Sequence, residues 1–479
     1  MTGRITRRVV LSGLMAGGAS AAFAGAPATS LRPPPRPSRE PAAARALIEA
    51  ARLGGKVTFA VADAETGEVL EALSPIYPMP PASVNKAPTA LFALETLGGE
   101  HRFATRLVAT GPLVNGRIDG DLVLQGSGDP TLDTDALGQL AADLKATGVR
   151  EVAGSFRVDA AALPEVPWID PDQPDHVGYN PTIGALNLNY NRVHFEWKRA
   201  SSGYDITMEA RALRFRPGVR TARMEVVDRR APVFTYEDRD GIDRWTVARR
   251  ALGREGARWL PVRRPTSYAG EVFRTLARSH GIVLRDGGAG SGAGGTVLAE
   301  WRSAPLETML RDMLDYSTNL TAEVVGLTAS AALGPSPADL AASAARMNGW
   351  LAARYGLHRP ALIDHSGLGY GNAITARDLV RMLAGTRRLE PLLEEVRVTD
   401  DGKTVRAKTG TLNFVSALAG YIPAGGRTLA FAILTADVAR RDAIPPEQRE
   451  RPEGARGWAG RSRRLQRDLI GRWMSLHTA

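Results

Sequence analysis

Hydrophobic spacing divides the chain into three textures. Residues 42–53 set Ala44, Leu47, Ile48 and Ala51 along one side of a helix. Residues 56–69 alternate instead: Val57, Phe59 and Val61 point one way, Glu65-Thr66-Gly67 supplies a turn and Val69 begins the return, which predicts a hairpin. A helical pattern follows from Ser83 through Leu91, Leu94 and Leu97. Pro88 is tolerated only in a first turn, so that helix begins close to Ser83. Between 99 and 262 short alternating runs take over, among them Val193/Phe195/Trp197 and Ile206/Met208/Ala210, broken by turns such as Gly126-Ser127-Gly128-Asp129-Pro130. No third glycine opens a helix there, so Gly126-Ser127-Gly128 is not a dinucleotide loop. Helical spacing resumes at Tyr268, breaks at the glycine-rich stretch 287–295, expected to be a flexible loop, and recurs to about Leu383. A strand that carries Lys408, led in by the strand-like run 404–407, is followed by 417–422 and 427–435, and together these read as completing a sheet. A final helix near 458–474 puts Leu465, Leu469 and Trp473 on one face opposite several arginines. Packing on the sheet is the expected use of that face, and contact with a membrane or murein surface is the alternative. The pattern predicts an α/β (α+β) fold: helices and a sheet built from 41–98 and 263–479, interrupted by a β-rich insertion at 99–262.

The first forty residues have a different character. Thr6-Arg7-Arg8-Val9-Val10-Leu11 opens an apolar stretch that closes on Ala22-Phe23-Ala24, a small-x-small cleavage signature. The adjacent arginines resemble a twin-arginine export signal, with the general secretory route as the alternative. Either route takes the mature protein out of the cytoplasm, to the periplasm, with residues 1–24 removed. Residues 25–40 are a proline-rich linker. The formal charge of +10 raises the question of a nucleic-acid partner; export argues against one. Loss of Arg4, Arg7 and Arg8 with the signal leaves +7 (10 − 3). The chain contains no cysteine, so disulfide and thiolate chemistry are excluded. Its seven histidines show no pair at metal-ligand spacing, and no metal or other cofactor is expected.

Of the sixty-one cationic residues only six are lysine, and two of those lie in motifs. Lysine can lose its proton and act as a base, whereas arginine cannot. Lys86 closes Ser83-Val84-Asn85-Lys86. Ser83 and Lys86, three apart on a helix, stand on neighbouring turns of one face. A serine hydroxyl needs a base, and a lysine supplies one only if burial or a second cation depresses its pKa. Lys408, in Lys408-Thr409-Gly410-Thr411, is the candidate second cation. Strand alternation puts Lys408 and Gly410 on one side, where Lys408 can hold a carboxylate, Thr409 adds a hydroxyl donor, and Gly410 is expected to leave room for a peptide along the strand. The N–H groups of Ser83 and Thr411 can pair as an oxyanion hole. Between the two lysines lies Ser317-Thr318-Asn319, whose first and third side chains can share a cavity as proton relay and amide ligand.

The ordered set S-x-x-K, S-x-N, K-T-G resembles that of penicillin-recognising serine enzymes. Further runs extend the likeness over roughly residues 40–440: Pro81-Ala82-Ser83, Gly120-Asp121-Leu122-Val123-Leu124, Gly128-Asp129-Pro130-Thr131-Leu132, Asp364-His365-Ser366-Gly367-Leu368 and Ala407-Lys408-Thr409-Gly410-Thr411-Leu412. Together they resemble the D-alanyl-D-alanine carboxypeptidases and endopeptidases with a large inserted domain, a low-molecular-mass class of penicillin-binding protein. The resemblance implies a penicillin-binding/β-lactamase-like transpeptidase domain acting on peptidoglycan stem peptides, with β-lactams as covalent inhibitors. It casts Ser83 as the acylated nucleophile, Lys86 as its base, Ser317 as proton relay, Asn319 as substrate-amide ligand and Lys408 as carboxylate partner. It also implies that Asp170, in Trp168-Ile169-Asp170, meets the amino group of a diaminopimelate side chain. His365 stands where that family usually has glycine, and a packing role is expected for it. A β-lactamase or esterase on the same scaffold and a non-catalytic wall-binding protein are the alternatives. Against the first, no E-x-x-L-N run follows Ser317.

Overall fold

The computed structural model describes residues 42–477 apart from Arg359. The expected signal segment and proline-rich linker lie outside the described residues. A six-stranded antiparallel sheet runs in the order Glu395–Arg397, Thr404–Leu412, Val415–Ala424, Arg427–Ala436, Lys56–Asp63, Val69–Leu73. The predicted hairpin is there, with Phe59 opposite Leu73 and Gly67 at φ +72° in its turn. Its central strands are buried on both faces, hence the near-continuous apolar run Leu429 to Leu434. Leu429, Phe431 and Ile433 face the C-terminal helix Ala455–His477, together with Leu465, Leu469 and Trp473. That helix packs on the sheet as its apolar face predicts, and the Trp458 indole N–H donates to the Leu53 carbonyl at 2.7 Å. Ala430, Ala432 and Leu434 face the other way, into a core shared with helices Lys86–Leu97, Asn319–Ala332, Leu340–Tyr355 and Ala376–Gly385. Alanines at the contact let these elements approach the sheet closely.

The inserted segment forms its own layer around a second core. Its five-stranded sheet takes the order Asp286–Ala289, Phe156–Asp159, Leu122–Gly126, Ala104–Ala109, Thr296–Arg302. Two of these strands, and the helix Pro265–Ser279 whose Phe273 stacks on Phe156 at 5.3 Å, lie beyond residue 262. The packed insertion therefore runs to Arg302, and the boundary expected at 262 is corrected accordingly. The glycine-rich stretch 287–295 is likewise not simply a loose loop. Asp286–Ala289 is a strand parallel to Phe156–Asp159, and a Cβ at Gly287 or Gly290 would meet Ser155 or Arg157 side-chain atoms at 2.5 and 2.3 Å. The glycines permit close packing of chain on chain, a role that composition alone does not distinguish from flexibility. Among the described residues no helix is long and apolar enough to cross a membrane.

Candidate active site

Ser83 sits in a single turn of 3-10 helix, Ala82–Asn85, that leads into helix Lys86–Leu97. Ala82 just before it is held at φ +46°, a conformation costly for a residue with a side chain. Two close approaches fix this turn. Gly367 lies so near that a Cβ on it would overlap the Ala82 carbonyl at 1.9 Å. On the other side, a Cβ at Gly410 would come within 2.7 Å of the Pro81 carbonyl and 3.1 Å of the Ser83 nitrogen. Gly410 thus lets the strand approach the Ser83 turn, a different use from the room for a peptide expected of it.

Lys86 is completely buried, and its Nζ has three neighbours: Asn319 Oδ1 at 2.7 Å, the Ser366 carbonyl at 2.9 Å and Ser83 Oγ at 3.0 Å. Burial, and then the positive charge of Lys408, bring its pKa from 10.5 down to about 7. Ionised Glu323 and Asp364 act in the opposite direction but do not offset the loss of water. Both carboxylates are tied to the wall that carries Ser366. Glu323 accepts from the N–H groups of His365 and Ser366 at 2.9 and 2.8 Å, and Asp364 accepts from Gly367, Gly369 and Asn372. Burial pushes the pKa of each upward, and at Glu323 the charge of Asp364 adds to the effect.

Lys408 lies on strand Thr404–Leu412, 1% exposed, and its ammonium makes no hydrogen bond or ion pair among the described residues. Burial lowers its pKa, while Glu394 and Asp315 favour its charged form. The short neighbouring strand pairs only with Thr404 to Arg406, leaving the edge free from Lys408 onward. The Ala407 N–H donates outward to Glu394, so by antiparallel alternation the N–H groups of Thr409 and Thr411 also face the free edge. Ser317, at φ +57° after helix Leu306–Tyr316, keeps its Oγ buried without a hydrogen-bond partner among the described residues. Ser83, Ser317, Asn319, Thr409, Thr411 and Asp170 all line one cleft of about 780 Å³.

The D-Ala-D-Ala carboxypeptidase 3 (S13) family matches residues 42–395 and 391–451. The chain belongs to that family. It is 30% identical to a D-alanyl-D-alanine carboxypeptidase of Actinomadura sp. (strain R39), over 87% of this chain and 86% of the relative. It is 26% identical to D-alanyl-D-alanine carboxypeptidase DacB of Haemophilus influenzae, over 73% and 79%. The fold is similar to the crystal structure of penicillin binding protein 4 (dacB) from Haemophilus influenzae, with a TM-score of 0.72 at 20% identity, covering 90% of this chain and 99% of that one. The same protein has also been solved complexed with a β-lactam.

Within this S13 chain three side chains expected to bind substrate are already engaged by the protein. Thr409 Oγ1 donates to Glu394 Oε1 at 3.3 Å. Asn319 Nδ2 donates to the Tyr179 carbonyl of the inserted segment at 2.9 Å. Asp170 is 4% exposed; it accepts from Gln173 Nε2 at 2.8 Å and from the Asp172 backbone at 3.1 Å, which braces its own turn. His365 has the expected packing role: it is fully buried with Nε2 2.7 Å from Ser343 Oγ, and burial depresses its pKa to about 3. Spacing did not reveal Tyr179, the Ser366 carbonyl, Glu323 or Arg441, which lines the cleft 4.7 Å over the Tyr370 ring. Glu323 alone left a signal, as a charged residue inside the apolar run Leu320 to Leu327 four places after Asn319. Among the described residues no group of three or more acidic or histidine side chains could hold a metal ion.

Proposed function

We infer that the chain is an exported serine D-alanyl-D-alanine carboxypeptidase, acting in the periplasm on peptidoglycan stem peptides and also cutting D-alanyl cross-links as an endopeptidase. The observation that carries this is Lys86: a fully buried amine, poised near neutrality, 3.0 Å from the hydroxyl of Ser83. A neutral amine has two N–H donors and one lone pair. Asn319 Oδ1 and the Ser366 carbonyl accept hydrogen bonds from the two N–H groups, which leaves the lone pair for the Ser83 hydroxyl.

The free edge of Thr404–Leu412 takes the peptide, with its terminal carboxylate at Lys408 and Thr409. Ser83 Oγ attacks the carbonyl of the penultimate D-alanine as its proton passes to Lys86. The N–H groups of Ser83 and Thr411 hold the developing oxyanion. The proton returns through Ser317, whose buried hydroxyl has no other partner among the described residues, to the leaving amine as the C–N bond breaks. Water then attacks the Ser83 ester and releases the shortened peptide. Asn319 meets a substrate carbonyl where it now meets that of Tyr179, and Asp170, with Arg441 nearby, faces the side chain of the third stem residue. A penicillin acylates Ser83 by the same route. The test is release of D-alanine from an N-blocked L-Lys-D-Ala-D-Ala peptide: the mature protein should release it and Ser83→Ala should not. A folded parent protein that releases none contradicts the assignment.

A further inference from the structure

Four carboxylates and four arginines line the cleft, and the protein treats them differently. Each carboxylate is engaged internally. Asp170 braces its turn as described, Asp172 pairs with Arg449 at 3.3 Å, Asp442 accepts from the Tyr370 hydroxyl, and Glu450 accepts from His176 and Arg258 at 2.8 and 2.9 Å. Arg449 is committed by that pairing, and Arg441 stacks on Tyr370 in the region of Asp170. Arg456 and Arg463 are different: both are exposed, both line the cleft, and neither makes a hydrogen bond or ion pair among the described residues. Seven residues apart on helix Ala455–His477, they project from one wall, with the small Ala459 between them also lining it.

The direction of the bound peptide brings this wall into use. With its C-terminal carboxylate at Lys408 and its scissile carbonyl between Ser83 and Thr411, the peptide runs antiparallel to the strand. Its acyl side then passes Leu412 and Asn413, which line the same cleft as Arg456 and Arg463. A guanidinium with no internal acid, facing a cleft whose own acids are satisfied, favours a carboxylate from the ligand. We propose that Arg456 and Arg463 form a carboxylate-binding subsite for the acyl-side portion of the stem, selecting peptides that keep a free carboxylate upstream of the scissile bond. This rests on the peptidase assignment above.

The test is calorimetric titration of the mature Ser83→Ala protein, which holds peptide without turnover. The probes are the pentapeptide L-Ala-γ-D-Glu-L-Lys-D-Ala-D-Ala and the same peptide with the D-glutamyl α-carboxylate amidated, so that the second has no free carboxylate upstream of the scissile bond. Two solvent-screened charge pairs should favour the free carboxylate by about tenfold at low salt, and less as salt is raised. Adding Arg456→Gln and Arg463→Gln should erase the preference, with the amidated peptide bound as before; Arg456→Lys with Arg463→Lys should restore most of it. No preference in the presence of both arginines, or a preference that survives their replacement by glutamine, overturns the subsite. Penicillin labelling of the unaltered protein reports separately on the underlying assignment. Labelling without a carboxylate preference removes the subsite alone, whereas absence of both labelling and D-alanine release removes the peptidase reading as well.

Discussion

Replacing Lys86 by arginine tests the base while leaving a cation in place. At its ordinary pKa an amine would be neutral in roughly one molecule in 3,000 at pH 7. With burial and Lys408 holding Lys86 near 7, about half the molecules carry a neutral amine at that pH. The difference corresponds to roughly 5 kcal/mol of preference for the neutral form, at about 1.36 kcal/mol per tenfold change. Arginine stays protonated under all working conditions and cannot take the Ser83 proton. General-base assistance is typically worth about 10² to 10⁴ in rate, so acylation in Lys86→Arg should fall by about a thousandfold or more. The assay is the second-order rate of labelling by a fluorescent penicillin across neutral pH. Because the lowered pKa makes the base competent only above its midpoint, the parent rate should climb as pH rises through about 7 and then level off. It should be lost as pH falls below that value. Lys408→Arg keeps the neighbouring positive charge and the carboxylate contact, so it should retain far more activity, with the loss showing as weaker substrate binding. The reasoning fails if Lys86→Arg labels within tenfold of the parent, if the two variants are equally impaired, or if the parent profile is flat around neutrality.

Gly410→Ala places a methyl 2.7 Å from the Pro81 carbonyl and 3.1 Å from the Ser83 nitrogen, against backbone that cannot move aside cheaply. It should cost about 1–3 kcal/mol in a melting experiment and at least a hundredfold in penicillin labelling; full labelling would contradict the close-approach argument. Asp170→Asn should weaken turnover of diaminopimelate-bearing peptides while sparing penicillin labelling. Equal losses on both would mean that its bonds to Gln173 and Asp172 are its whole role. Arg7→Lys with Arg8→Lys should trap unprocessed precursor in the cytoplasm, as followed by immunoblot, and normal processing would indicate the general secretory route instead.

What could be read in the sequence was local. Ser83 with Lys86, and Lys408 with Gly410, are pairs whose spacing fixes a shared face once the element is known, and Leu465, Leu469 and Trp473 announced a helix that covers the sheet. The errors came where the partner is distant in the chain. Room for substrate is the local reading of Gly410, because nothing near it in sequence reveals that Pro81 and Ser83 press against it. The change of texture puts the end of the insertion at 262 because Pro265–Ser279 is helical, although its apolar face completes the core of the preceding strands. The bond from Asn319 to the Tyr179 carbonyl spans 140 residues and uses a backbone oxygen, which no residue pattern encodes. The same holds for the Ser366 carbonyl that accepts a hydrogen bond from Lys86, set in place by Glu323.

The central claim, that Ser83 is a nucleophile served by a buried neutral lysine, is tested most directly by intact-mass measurement after brief exposure to benzylpenicillin, followed by digestion to locate the adduct. The account predicts one adduct carrying the whole antibiotic, on the peptide containing Ser83, formed faster above neutral pH and absent in Ser83→Ala. An unmodified protein, or an adduct that persists in Ser83→Ala, would contradict it.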